Sequence, residues 1–100
     1  MYTFDVNTVH FHPNNPLILI AGPCVIESRD HCLFMAEKLT QLAERLHVPF
    51  IFKSSFLKAN RSSLDSYVGP GLEEGLKILE IVKHEMAVPV TSDIHSIEQV

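Results

Sequence analysis

One hundred residues, 46% hydrophobic and 20% charged, describe at most one globular domain of the soluble type. A formal net charge of −4 leaves no basic surplus for nucleic acid or an anionic membrane surface. No basic N-terminal segment leads into an apolar core and no run approaches about 18 apolar residues, so a cytoplasmic chain without a membrane span is expected.

Tyr2, Phe4 and Val6 alternate with polar residues, Asn7-Thr8 can turn the chain, and Val9 and Phe11 resume the alternation, which predicts a hairpin within residues 1–12. His10 and His12 fall on the face opposite Val9 and Phe11, either as a metal-binding pair or as exposed polar residues, and the strand period favours the second. Pro13-Asn14-Asn15-Pro16 breaks regular structure.

Leu17–Ala21 is a continuous apolar run, the pattern of a parallel strand covered on both faces, ended by Gly22-Pro23. Ser28 is a suitable helix N-cap, followed by Cys32, Met35, Ala36, Leu39, Leu42, Ala43 and Leu46 at helical spacing. Cys24 and Cys32 lie eight positions apart, which fits neither a disulfide framework nor a paired zinc knuckle. Pro49 reopens the chain into a second strand, Phe50-Ile51-Phe52.

The stretch from Phe52 to Gly71, FKSSFLKANRSSLDSYVGPG, has almost no hydrophobic period and concentrates Lys53, Lys58 and Arg61 with Ser54, Ser55, Asn60, Ser62 and Ser63. Loops of this length are uncommon in compact domains without a function. It reads either as a holder for an anion or as a solvated loop. Leu72, Leu76, Leu79, Val82 and Met86 then predict a second helix, with Glu73 and Glu74 in its first turn. Gly69-Pro70-Gly71 at its entrance either presents backbone N–H groups to an anion or only shapes the turn, and Glu73-Glu74, which oppose an anion there, favour the second. Val88–Thr91 is a third strand, and Ser96 with Gln99 forms a capping box for a third helix.

Strands alternating with helices imply a parallel sheet, and three such strands cannot close a barrel. The expected chain is the N-terminal part of a longer α/β protein, the alternative on pattern alone being a small three-layer domain. Ligands of parallel α/β folds gather at the carboxyl ends of the strands, which brings Cys24, Lys53, Ser55, Asp93 and His95 to one rim. Cys24 is either a packing residue or a thiolate metal ligand, and Asp93 with His95 either orients substrate, relays a proton or only shapes the loop.

The motifs AGPCVIES at Ala21–Ser28, FKSSFLKANRSS at Phe52–Ser63, GPGLEEG at Gly69–Gly75 and TSDIH at Thr91–His95 resemble the 3-deoxy-D-manno-octulosonate 8-phosphate synthases, also called 2-dehydro-3-deoxyphosphooctonate aldolases. The resemblance runs from about Leu17 to the end. KANRSS followed by GPGLEEG is its most specific part, because AGPC is shared with the related heptulosonate-phosphate synthases, whose second-strand loop is of the KPRTSP type. The resemblance implies a (β/α)8 barrel, of which residues 17–100 hold about the first three strands, with an N-terminal hairpin capping the barrel bottom and a homotetrameric assembly.

It also implies condensation of phosphoenolpyruvate with D-arabinose 5-phosphate, with release of phosphate, on the route to lipopolysaccharide. Carried over by motif position, Lys53, Ser55 and Lys58 are expected to bind phosphoenolpyruvate, and Asn60, Arg61 and Ser62 the sugar phosphate. Cys24 matches the cysteine of metal-dependent members, implying a divalent metal ion whose other ligands lie on later strands. Asp93 and His95 match rim residues near the substrates. The chain departs from the family at Ser54, where alanine is frequent, at Leu57, where aspartate is frequent, and at Val68, where arginine is frequent; none of these removes an expected ligand. The alternatives are a heptulosonate-phosphate synthase, disfavoured by KANRSS, and a noncatalytic phosphosugar-binding module. These 100 residues alone are expected to be inactive.

Overall fold

The computed structural model describes residues 3–14, 17–57 and 69–100. Strands β1 (Phe4–Val6) and β2 (Val9–Phe11) form the antiparallel hairpin, turned at Asn7, which takes φ 53°. Asparagine tolerates that left-handed conformation better than most side chains. Phe4 and Phe11 face each other in register and stack with ring centroids 4.4 Å apart.

Strands β3 (Leu19–Ala21), β4 (Phe50–Lys53) and β5 (Val90–Thr91) form a parallel sheet in the order β3-β4-β5. Consecutive strands are thus neighbours, as in a barrel wall. A doubly wound sheet would instead reverse its strand order at a switch point. Pro49 and Pro89 stand immediately before β4 and β5. Lacking N–H groups, they contribute only their carbonyls, which accept from Leu19 and Phe52 N–H at 2.9 Å each.

Helix α1 (Arg29–Leu46) starts where the Ser28 hydroxyl accepts the His31 N–H at 3.1 Å. Its buried stripe is Cys32, Ala36 and Ala43, small residues that let the helix approach the sheet closely. Helix α2 (Leu72–Met86) packs beside α1 and over β5. The core joins the two helices to the sheet through Ile26, Cys32, Ala36, Phe50, Phe52, Ile78, Leu79 and Val82.

Several sequence expectations are corrected. Regular pairing begins at Leu19 and Val90 rather than Leu17 and Val88, so the first and third strands are shorter than their apolar runs. Ile20 is 49% exposed, whereas its neighbours Leu19 and Ala21 pack against the core. Leu42, Leu46 and Leu76 are exposed, whereas Ile78 and Gly75, outside the expected stripe of α2, are buried. The third helix is a 3-10 turn over Ile97–Gln99. Ser96 makes no side-chain cap there; Gln99 Oε1 instead accepts from the N–H of His95 at 2.6 Å, one residue earlier than a capping box requires.

The hairpin lies at the N-terminal end of the sheet. Thr8 and Val9 line a groove there with Pro49, Phe50, Val88 and Pro89, and Val9 is buried. His10 pairs with Asp5 and stacks on His12, whose Nδ1 accepts from Asn14 N–H at 3.0 Å. Both histidines are therefore at the end of the sheet opposite Cys24, Lys53 and Asp93.

Candidate active site at the carboxyl ends of the strands

The rim is assembled by backbone bonds that continue past the ends of β3 and β4. Ser55 N–H donates to the Cys24 carbonyl at 3.2 Å and Ile26 N–H to the Ser55 carbonyl at 2.9 Å, giving an isolated parallel bridge between Val25 and Ser55. Between strand and bridge lies Gly22. A β-carbon there would run into the Lys53 carbonyl oxygen, so glycine permits β3 and β4 to stay close where the chain leaves the sheet. Ser54 is buried and its hydroxyl donates to the Pro23 carbonyl at 2.6 Å, locking the AGPC turn to β4.

On the other side, Ser54 N–H donates to the Thr91 carbonyl at 3.3 Å, which carries the β4–β5 pairing one step further. Beyond it the Ser55 hydroxyl donates to Asp93 Oδ1. Ser55 is only 7% exposed and its hydroxyl hydrogen is committed to Asp93. Sequence reasoning placed Ser55 on the rim as a ligand; its bond to the carboxylate is what the fold adds.

Asp93 Oδ2 lies 3.4 Å from His95 Nε2, and the same nitrogen is 3.1 Å from the Leu57 carbonyl oxygen. A carbonyl can only accept, so this contact requires the proton on Nε2. The His95 side chain is 20% exposed and its ring meets the edge of Phe56, with centroids 5.9 Å apart. The Asp93 carboxyl is held below its ordinary value, chiefly by the Ser55 hydroxyl and to a smaller degree by the positive fields of Lys53 and His95. Partial burial opposes that shift without cancelling it.

The five described residues expected on the rim are thus distributed over three strand ends: Cys24 after β3, Lys53 and Ser55 at and after β4, Asp93 and His95 after β5. Ser55, Asp93 and His95 are joined in one hydrogen-bonded row. Lys53 closes β4 with an exposed side chain, and Cys24 is exposed. Lys58, Asn60, Arg61 and Ser62 lie outside the described residues. An ammonium group and an ionised carboxylate at adjacent strand ends can receive an anion and a hydroxyl-bearing group together. The ammonium attracts the anion, while the carboxylate accepts from the hydroxyl.

Among the described residues, no group of three or more histidine, cysteine, aspartate or glutamate side chains comes together to hold a metal ion. Cys24 accordingly offers a single thiol to such a site. None of the described helices is long and apolar enough to cross a membrane.

Sequence reasoning missed Phe56, which is 1% exposed and supports both His95 and the start of α2. A signal was present: Phe50, Phe52, Ser54 and Phe56 alternate in step and all are buried, so the strand's inward face continues past its last ladder residue.

The model of the DAHP synthetase I family matches residues 4–100. The chain is also similar to curated proteins named 2-dehydro-3-deoxyphosphooctonate aldolase. That of Rickettsia felis is 51% identical over 94 residues, covering 94% of this chain and 34% of the relative. That of Rickettsia canadensis is 56% identical over 84 residues, covering 84% and 31%. That of Geotalea daltonii is 52% identical over 96 residues, covering 96% and 35%. The chain therefore spans about a third of the length of the curated relatives it matches.

Proposed function

This chain belongs to the DAHP synthetase I family, its hairpin and β-α-β-α-β run being part of a (β/α)8 barrel, and from that premise we propose that it forms the N-terminal part of a single-domain 3-deoxy-D-manno-octulosonate 8-phosphate synthase. The full-length protein condenses phosphoenolpyruvate with D-arabinose 5-phosphate. The relatives' shared name supports this reading over a heptulosonate-phosphate synthase. The observation that carries it is the rim: a cation, an ionised carboxylate and an imidazole at adjacent carboxyl ends of parallel strands.

In the reaction a carbon–carbon bond forms between C3 of phosphoenolpyruvate and the aldehyde carbon of the sugar. Water adds its oxygen at C2, and the phosphate of phosphoenolpyruvate leaves with its bridging oxygen. The chain's residues act by position and charge. Lys53 and Lys58 hold phosphoenolpyruvate, with Lys53 offsetting its negative charge, while Ser55, whose hydroxyl hydrogen goes to Asp93, borders that site. Asn60, Arg61 and Ser62 hold the sugar phosphate, where a guanidinium suits two-point contact with phosphate oxygens. Asp93 and His95 stand beside the substrates, and Ser55 keeps the carboxylate turned toward the imidazole. Holding both substrates in register is itself a large part of the rate enhancement.

Cys24 supplies one thiolate to a divalent metal ion, the other ligands coming from later strands of the full-length barrel. A metal ion so placed supplies electrostatic polarisation of substrate oxygens or of water. The assembly is a cytoplasmic homotetramer.

The test is an assay of the full-length protein with both substrates, with and without chelator. Consumption of arabinose 5-phosphate, abolished by chelator and restored by divalent metal, is the expected result. Failure to consume that sugar phosphate overturns the substrate assignment, and full activity after chelation overturns the role of Cys24. A noncatalytic phosphosugar-binding module would bind the sugar phosphate without releasing phosphate from phosphoenolpyruvate.

A further inference from the structure

Phe50, Phe52, Ser54 and Phe56 form one buried row along β4 and its continuation, and Ser54 brings a hydroxyl into it. At 1% exposure that hydroxyl costs desolvation unless it is bonded. It donates to the Pro23 carbonyl at 2.6 Å, while the Ser54 N–H donates to the Thr91 carbonyl at 3.3 Å. Ser54 thus ties the end of β4 to the turn after β3 on one side and to β5 on the other.

The turn side bears on Cys24. The Pro23 carbonyl belongs to the peptide unit before Cys24, and the Cys24 carbonyl belongs to the unit after it. The first accepts from the Ser54 hydroxyl and the second from the Ser55 N–H at 3.2 Å. The two soft backbone dihedrals of Cys24 lie between those planes, so anchoring both planes fixes the direction of its Cα–Cβ bond. Gly22 adds to the hold, because β3 and β4 approach there too closely for a β-carbon. The Cys24 side chain itself is exposed and in no disulfide. An accessible thiol on an anchored backbone fits one ligand position of a metal site, ordered at folding rather than at binding.

We propose that Ser54 is a positioning residue for the Cys24 thiol: through the Pro23 carbonyl it sets the backbone that carries this ligand before a divalent metal ion arrives. The role rests on the reading given under Proposed function, in which Cys24 supplies one thiolate. Ser54 acts only through the turn.

The test titrates the metal-free full-length protein with Co(II) and follows the thiolate-to-cobalt charge-transfer absorption, which must vanish in Cys24→Ser. In Ser54→Ala the absorption should persist while the Kd for Co(II) rises by about tenfold, the lower end for losing a contact that orients a metal ligand. The amides of Ser55 and Ile26, which close the bridge beyond the turn, should exchange with solvent about threefold to tenfold faster in that variant, the net worth of one hydrogen bond. Unchanged affinity or unchanged exchange overturns the proposal. If Ser54→Ala does not fold, the wild-type protein decides it. Without metal, its Ser55 and Ile26 amides should exchange as slowly as the Phe52 amide bonded to Pro89. Protection gained only on adding Co(II) overturns the proposal, because the ion and not Ser54 would then hold the turn. If the wild-type protein shows no charge-transfer absorption, or Cys24→Ser keeps it, the reading of Cys24 as a ligand fails by itself, and the exchange rates still decide whether Ser54 fixes the turn.

Discussion

Ser55 donates its hydroxyl hydrogen bond to Asp93 although the two residues are 38 positions apart, each standing two residues past the end of its own strand. The parallel pairing of β4 with β5 brings them to the same height, and the bond then holds the carboxylate against the His95 imidazole.

Ser55→Ala removes the main cause of the low Asp93 pKa, so the carboxyl should titrate nearer the ordinary value of about 3.9. Because the folded pKa is depressed, the stability this contact contributes is complete above the unfolded pKa and is lost as pH falls through the lowered folded value. The Asp93 side chain is 43% exposed, so solvent screening reduces the cost at neutral pH to about 1 kcal/mol. Carboxyl-carbon NMR titration of both proteins checks this. An unchanged Asp93 titration in the variant would mean that Lys53 and His95 hold the group down instead.

The two cysteines should differ sharply in reactivity. Burial pushes the Cys32 thiol up to about 11 and leaves it no access to solvent, whereas Cys24 is exposed. Iodoacetamide at pH 8 should therefore modify Cys24 and spare Cys32 until the protein is unfolded. Peptide mapping by mass spectrometry reads both sites, and modification of native Cys32 at the rate of Cys24 would contradict the packing of α1.

Phe52 is fully buried and sets its ring edge-on to Phe50 at 6.5 Å between centroids. Phe52→Ala should cost about 3–5 kcal/mol, the range for emptying an aromatic site in a packed core. Ser28→Ala, which removes the cap of α1, should cost about 1 kcal/mol. Urea denaturation of the full-length variants gives both values, and a Phe52→Ala loss no larger than that of Ser28→Ala would contradict the assignment of the core.

Lys53→Ala and Arg61→Ala should separate the two substrates. Loss of one charge-stabilising contact costs on the order of 2–4 kcal/mol of transition-state stabilisation. For Lys53→Ala the loss in apparent affinity should fall mainly on phosphoenolpyruvate, and for Arg61→Ala mainly on arabinose 5-phosphate. Steady-state kinetics with each substrate varied in turn distinguishes them; equal losses for both substrates in both variants would mean that the roles are misassigned.

The hairpin, the order of strands and helices, and the Ser28 cap were legible because each is a local property of its segment: alternation at two residues, apolar recurrence at three and four, a hydroxyl before a helical run. The rim was legible for the same reason, since strand ends can be located once strands are. Less legible was which apolar residues would be covered. Ile20, Leu76 and Ile78 are equally hydrophobic, yet Ile20 and Leu76 are largely exposed and Ile78 is buried. Periodicity gives the face of an element but not the extent of what packs on it.

The sequence by itself determined the parallel α/β order, the concentration of cations after β4 and the motifs that mark the family. Only the tertiary structure decided that Ser55 is bound to Asp93, that His95 reaches back to Leu57, and that the Phe56 carbonyl accepts from Gly71 before α2. These contacts connect residues far apart in the chain, and they depend on the register of β4 against β5 and the seating of α2 on the sheet. A linear pattern carries neither distance.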